Sequence, residues 1–85
     1  MANVKCFSIA GVKLWFWSND HHPPHFHAKI NGEWEVVVRF LEREENMFKM
    51  KWQKKIFGSH HRKMLADMAV EHRAELLKEW ERIHP

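Results

Sequence analysis

Residues 25–40 alternate between apolar and polar side chains on either side of an Asn31-Gly32 turn, and this pattern constrains the fold more than any other. Successive side chains of a β-strand point to opposite faces, so such alternation is typical of strands with one buried face. The apolar positions are Phe26, Ala28, Ile30, Trp34, Val36, Val38 and Phe40. Two strands of this kind, joined by a glycine-containing turn, predict an antiparallel hairpin packed against a core.

The length of the hairpin loop decides the register of the two strands. A two-residue loop would mix polar and apolar residues on both faces. A three-residue loop, with Gly32 in the left-handed conformation, gives one continuous apolar face and opposite charges across the strands. Its pairs would be Lys29 with Glu33, His27 with Glu35, Ala28 with Trp34 and Phe26 with Val36. We favour this register, which places His25 and His27 on the more solvated face.

Two further strands are predicted before this hairpin and one after it. Residues 4–9 and 12–18 are rich in Val, Phe, Ile and Trp, and Ala10-Gly11 between them favours a tight turn. Residues 12–18 carry apolar side chains on both faces, which is typical of a central strand. Residues 47–52 alternate again. In that last strand we expect the apolar side chains to face inward, namely Phe48, Met50 and Trp52.

The last part of the chain predicts a helix. Ser59 can cap its start, and neither Gly nor Pro follows until Pro85. Residues at spacings of three and four form one stripe: Leu65, Ala69, His72, Leu76, Trp80 and Ile83. A single helix of about 24 residues would be about 36 Å long, so it either projects from the body or bends across the sheet.

Together these elements predict an α+β fold, with an antiparallel sheet of four or five strands and one long C-terminal helix packed on it. Eighty-five residues suffice for a single domain, residues 1–85. The single Cys6 cannot form an internal disulfide and no export signal is evident, so we expect a cytoplasmic protein. The longest apolar run, residues 14–17, is far shorter than the roughly 20 residues that span a bilayer, which argues against a membrane protein.

Four of the eight histidines lie within seven consecutive residues, in the order His-His-Pro-Pro-His-Phe-His. Residues two apart on a strand project to the same side, so His25 and His27 can offer two imidazoles to one ligand. With His22 or Asp20 as a third ligand, they would form an open site for a divalent transition metal such as Zn or Ni. Two alternatives stay open: a structural corner in which His27 bonds to Glu35, and direct acid–base or phosphate-binding work by imidazole.

Basic residues are concentrated in residues 47–63, which contain no acidic residue. The six are Lys49, Lys51, Lys54, Lys55, Arg62 and Lys63. They can follow a phosphate backbone, and Trp52 and Phe57 among them can stack on unpaired bases. The alternative is a solvated lysine face whose aromatic residues belong to the core.

The segment from Ser18 to Ala28, with its His-Pro-Pro-His-x-His core, resembles a family of short bacterial proteins catalogued as domain of unknown function 4160. The aromatic strand after Gly11 and the helix around Trp80 are similar to that family as well. The resemblance implies a small stand-alone protein, in some members a suspected component of a toxin–antitoxin pair. The segment 47–63 is richer in lysine than the middle region typical of the family.

The sequence has no Ser-His-Asp set, Cys-x-x-Cys pair or glycine-rich phosphate loop, which leaves nucleophilic and nucleotide-cofactor enzymes without support. Our preferred hypothesis is a binding protein of a two-gene module that contacts RNA or DNA through the basic residues. Its other partner would be a protein encoded nearby or a second copy of the chain. The alternative is a small metal- or histidine-dependent hydrolase, of ribonuclease type, centred on His25 and His27. A third class is a purely structural partner protein.

Overall fold

The structure of the protein, a computed structural model, describes all 85 residues. Five strands form one antiparallel sheet, in which sheet order follows chain order. The strands are β1 (Ala2–Asn3), β2 (Lys13–Phe16), β3 (Phe26–Ile30), β4 (Trp34–Val38) and β5 (Phe48–Gln53). The helices are α1 (Glu44–Met47), α2 (Ser59–Glu71) and α3 (Arg73–Ile83). The α+β class and the antiparallel sheet are therefore confirmed. None of the helices has the length and apolarity required to cross a membrane.

The two C-terminal helices cover one face of the sheet. A core of 18 buried hydrophobic residues lies between the helices and the sheet. It includes Phe26 and Val36 from the sheet and Leu65 and Leu76 from the helices. The opposite face has no helical layer. We call it the outer face, and strand pairing aligns four of its residues across β2 to β5: Trp15, His27, Val37 and Lys49.

The β3–β4 hairpin has the predicted faces but a different register. The observed pairs are Phe26 with Val38, His27 with Val37, Ala28 with Val36, Lys29 with Glu35 and Ile30 with Trp34. The loop comprises residues 31–33, and Gly32 adopts a φ of 77° as expected. The predicted pairing of His27 with Glu35 is wrong, because moving the loop one residue along the chain keeps Ile30 in the ladder opposite an apolar partner. A shift of two residues preserves the face of every side chain.

The predicted strand over residues 4–9 is also wrong, because the first strand is confined to Ala2–Asn3. The chain leaves the sheet where the carboxylate of Glu79 accepts the backbone N–H groups of Lys5 and Cys6, at 2.8 and 3.1 Å. These bonds replace those that a neighbouring strand would supply. Burial, reinforced by Glu79, raises the pKa of the Cys6 thiol to about 12.

The Ala10-Gly11 turn is present, with a φ of 78° at Gly11. Only one pair, Ile9 with Val12, flanks it. The strand that follows is shorter than predicted, since β2 covers four residues. Its last three residues are buried although they point to alternate faces, which agrees with the central position expected for this strand.

A bulge in β5 overturns the expectation that Trp52 faces inward. Met50 pairs with Val36, whereas Trp52 pairs with Glu35, so Lys51 is an extra residue on this strand. An extra residue reverses the alternation of faces beyond it. Trp52 consequently lies on the outer face and is 37% exposed, while Met50 packs against the core as expected.

Two helices stand where one long helix is predicted. His72 separates α2 from α3 and has φ −106° and ψ 20°, outside the helical range. Its ring stacks on Phe7 at a centroid distance of 5.4 Å, and its Nδ1 atom donates to Glu75 at 3.0 Å. The break lets both helices lie along the sheet, the second of the two arrangements considered above. α2 starts at Ser59, but its N-cap is Gly58 and the serine makes no capping bond.

The predicted stripe is the buried side of these helices. Leu65, Ala69, Leu76 and Trp80 are at most 1% exposed. The Trp80 ring packs against residues from three other parts of the chain, with centroid distances of 6.4 Å to Phe16, 5.7 Å to His22, 5.4 Å to His25 and 3.7 Å to His84.

Replacing Trp80 by Ala should leave the protein largely unfolded. Truncation of a buried Trp costs about 3–5 kcal/mol, and a small domain has only about 5 kcal/mol of stability in total. Thermal unfolding followed by circular dichroism measures the effect. The matched control is Trp52→Ala, which removes an equally large but exposed ring and should change the melting temperature little. An unchanged melting temperature for Trp80→Ala would contradict its place in the core.

Candidate functional site on the outer face

The loop between β2 and β3 folds around the carboxylate of Asp20. Its Oδ2 atom accepts the backbone N–H of Trp17 at 3.2 Å and the Nε2–H of His27 at 3.0 Å. The Nε2 atom of His25 lies 3.4 Å from the same oxygen. Three residues from the two ends of the loop thus meet at one carboxylate, and the Asp20 side chain is only 14% exposed.

His25 and His27 lie side by side, as their spacing predicts. Their ring centroids are 5.2 Å apart, and the ligand atoms of His25, His27 and Asp20 all lie within 4.8 Å of one another. His27 lies on the outer face, as expected, but its own side chain is buried, because this residue is only 4% exposed. Its ring stacks on Trp15 at 5.3 Å and is closed off on another side by Asp20.

The tautomer of His25 is fixed by its surroundings. Its Nδ1 atom lies 2.8 Å from the carbonyl oxygen of Pro23. A carbonyl only accepts, so Nδ1 carries the hydrogen and the Nε2 atom of the neutral ring offers a lone pair. That lone pair faces the Asp20 carboxylate, and two acceptors attract each other only when a cation lies between them. The cation can be a proton on Nε2 or a metal ion, and an Nδ1–H bond to a backbone carbonyl is the usual support of a metal-bound histidine.

His27 is kept neutral by its environment. Burial lowers its pKa below the ordinary value, and the hydrogen bond and charge of Asp20 oppose that effect without cancelling it. The Nδ1 atom of His27 and the Nε1 atom of Trp15 are buried and have no hydrogen-bond partner. Such groups are rare in folded proteins, and an ordered water, an ion, local strain or a catalytic role accounts for them.

The structure does not bring His22 into this group. The His22 ring packs against Trp80, and the third ligand atom near the two histidines belongs to Asp20. An O,N,N set of this kind suits zinc or nickel and leaves a fourth position for water. These three residues therefore fit the divalent metal that the histidine spacing predicts, with the hydrogen of His27 moved from Nε2 to its unpartnered Nδ1 atom.

A cavity of about 250 Å³ opens next to this group on the outer face. It joins the histidine loop to Arg39, which directly follows β4, and to the lysines of β5. Its lining residues with polar side chains are His21, His22, His25, Arg39, Lys49 and Lys51. Three permanent cations and three imidazoles around one cavity make a site for an anion.

The six predicted nucleic-acid contacts do not all converge on this cavity. Lys49 and Lys51 line it. Arg62 lies over the rings of Phe48 and Phe57, at 4.9 and 5.6 Å, and Lys63 pairs with Asp67 of its own helix at 3.5 Å. The remaining two are Lys54 and Lys55, exposed residues just beyond β5 whose backbone N–H groups bond to Glu33.

Sequence reasoning missed Arg39 as a site residue and gave Asp20 only as an alternative. Arg39 was detectable, because it lies two positions after Val37 and its side chain therefore points to the same face of the sheet. The central position of Asp20 depends on how the loop turns back over β3, and no local pattern encodes that path.

Measuring the titration of the His27 ring by NMR tests this geometry. We expect a midpoint below 6.5, because burial disfavours the imidazolium ion, and a still lower midpoint in Asp20→Asn. The free energy of unfolding should include the full contribution of neutral His27 above pH 6.5. It should decrease as the pH falls through the folded-state pKa, because the unfolded chain binds the proton more readily than the folded one. Chemical unfolding across that range measures the loss. A midpoint at or above 6.5 would contradict the burial of His27.

Comparison with protein-family models places residues 11–81 in the family described as Domain of unknown function (DUF4160). The matched range contains β2 to β5, the Asp20, His25 and His27 group, and the basic cavity. Comparisons with curated proteins and with solved structures each find no match. Since the family model spans most of the chain, the protein belongs to the DUF4160 family.

Proposed function

We propose that the protein binds nucleic acid on the outer face of its sheet, with a backbone phosphate in the basic cavity. The observation that carries this proposal is the convergence of Arg39, Lys49 and Lys51 with His25 on a single concave surface. Phosphate contacts of this type supply most of the affinity of non-specific nucleic-acid binding. The acidic residues nearby are already engaged, since Asp20 bonds to His27 and Glu35 accepts the indole N–H of Trp52 at 3.3 Å.

Two exposed indoles favour a single-stranded ligand. Trp17 and Trp52 are 41% and 37% exposed. Trp17 packs edge-on against Trp15 of the outer face, and Trp52 pairs with Glu35 on that face. Unpaired bases stack on such rings, whereas the stacked bases of a duplex cannot reach them. Single-stranded RNA or DNA is therefore the ligand class we propose.

A partner protein of a two-gene module is the second part of the proposal. Its support is the free edge of the sheet at β5, a strand of six residues with a neighbour on one side only. An edge strand presents unpaired backbone groups that a strand of another chain can bond. Lys49 and Lys51 on this strand discourage indiscriminate pairing and favour a partner with an acidic strand.

Removing the charges that line the cavity should weaken binding far more than removing charges elsewhere. The double variant Lys49→Ala/Lys51→Ala should bind a single-stranded oligonucleotide more weakly and with a smaller salt dependence. Each lost phosphate contact lowers the slope of log affinity against log salt by roughly 0.7 on single strands. Fluorescence anisotropy at several salt concentrations measures both quantities.

The matched control is Lys54→Ala/Lys55→Ala, which changes the net charge equally but lies outside the cavity. It should retain most of the affinity. Equal losses in the two double variants would show that net charge alone attracts the ligand. No binding by the wild-type protein at low salt would end the proposal.

A second candidate function, hydrolysis of the bound strand, is favoured by the position of His25. This residue belongs to the Asp20 group and also lines the basic cavity. In this reaction a water oxygen would form a new bond to phosphorus and lose its proton to solvent, while the bond to the leaving oxygen breaks. That leaving oxygen would take a proton from Nε2 of His25, and Lys49 and Arg39 would stabilise the charge that develops on the phosphate. A bound divalent metal would instead activate a water molecule for attack.

Cleavage of single-stranded RNA should disappear in His25→Ala, whereas the affinity should fall less than in Lys49→Ala/Lys51→Ala, because the permanent charges that line the cavity remain. His60→Ala, which removes an exposed imidazole from α2, should cleave as the wild-type protein does. Gel analysis with and without a chelator separates the two routes, since only the metal route requires the ion. Absence of cleavage by the wild-type protein, with Zn²⁺ or Ni²⁺ supplied, would exclude hydrolysis of this substrate and leave the binding proposal standing.

A further inference from the structure

A second group of metal-ligating side chains lies where the N-terminal segment meets the break between α2 and α3. The ligand atoms of Cys6, His72 and Glu75 all lie within 4.8 Å of one another. None of these residues belongs to the site on the outer face. Cys6 also precedes the part of the chain that the family model covers.

The backbone around this group is held in place by contacts that do not use the ligand atoms. Glu79 accepts the backbone N–H groups of Lys5 and Cys6, which fixes the position of the thiol relative to α3. The ring of His72 stacks on Phe7 at 5.4 Å. His72 and Glu75 are three residues apart at the start of α3, a spacing that puts both on one side of the helix.

The hydrogen bonding of His72 suits a ligand with an outer-shell partner. At present its Nδ1–H donates to Glu75 Oε1 at 3.0 Å, and its Nε2 atom lies 3.7 Å from Glu71 Oε2. Moving the hydrogen to Nε2 would free the Nδ1 lone pair for a cation and direct the new Nε2–H towards Glu71. A carboxylate that receives the second ring N–H is the common support of a metal-bound imidazole.

We propose that Cys6, His72 and Glu75 form a binding site for a divalent transition metal of the zinc type. A thiolate, an imidazole and a carboxylate are the three donor classes that zinc accepts in proteins. On binding, the S–H bond of Cys6 breaks, its proton goes to solvent, and a metal–sulfur bond forms. The site is independent of nucleic-acid binding and of the Asp20 group.

A fourth position would be open to solvent. A cavity of about 280 Å³ is lined by Cys6, Glu75 and Glu79 on one side. Its other lining residues are basic: Lys5, Lys78 and Arg82. A water molecule or a small anion can therefore complete the coordination, and the three basic side chains favour the anion.

Cobalt(II) tests the site, because a thiolate bound to Co²⁺ gives an intense charge-transfer absorption in the near ultraviolet. The Asp20, His25 and His27 group contains no sulfur and cannot produce this band. Titrating the reduced, full-length protein with Co²⁺ should develop the band to the intensity of one thiolate–Co²⁺ bond per chain, and Zn²⁺ should remove it. Cys6→Ser should abolish the band, whereas His25→Ala should leave it intact.

Glu75→Gln is the second informative variant, since Glu75 is exposed and its replacement should not disturb folding. We expect it to weaken Co²⁺ binding by tenfold or more, the rough loss that even an outer-shell partner causes. Circular dichroism confirms that each variant is folded. Absence of the band in the folded wild-type protein would overturn the proposal. An unchanged affinity in Glu75→Gln would also overturn it, because the metal would then be bound by Cys6 without this ligand set.

Discussion

The packing of the Trp80 indole connects the core of this protein to its candidate site. One edge of the ring meets Phe16 in the core, and other parts meet His22 and His25 of the loop that carries Asp20. Because Trp80 is 1% exposed, the loop rests on a filled and rigid surface. The position of the histidines is thus set by a residue of α3, Trp80, which lies more than fifty positions further along the chain. A site of this kind is preorganised by the core and not by the loop alone.

The two faces of the sheet carry different chemistry. The covered face supplies the apolar area that holds the domain together, so its composition is restricted to hydrophobic residues. The outer face has no helical layer and can therefore display Arg39, Lys49 and Lys51 beside imidazoles and indoles. Burial on that face is local, because Trp15 and His27 cover each other by stacking. This division lets a domain of 85 residues keep a core and still present a broad polar surface.

Features that arise from periodicity were predictable, whereas features that arise from a single tertiary contact were not. Alternation placed Phe26 and Val36 on the core side and put His25 and His27 on one face, because strand geometry has a period of two. The bulge at Lys51 and the break at His72 contain no glycine or proline, so no local sequence signal predicts them. The early end of β1 depends on the Glu79 carboxylate, and the position of Asp20 depends on the path of its loop. Each of these requires knowledge of residues distant in sequence.

The two bonds from Glu79 to Lys5 and Cys6 also bear on how the chain folds during synthesis. They join residues separated by 74 and 73 positions, close to the full length of the chain. Neither bond can form until α3 has left the ribosome, and before that moment α2 alone is available to cover the apolar face of the sheet. Contacts of such large sequence separation slow folding, because the whole loop between them must be closed first. The hairpins can pair early, but the domain becomes complete only after its last helix has been released.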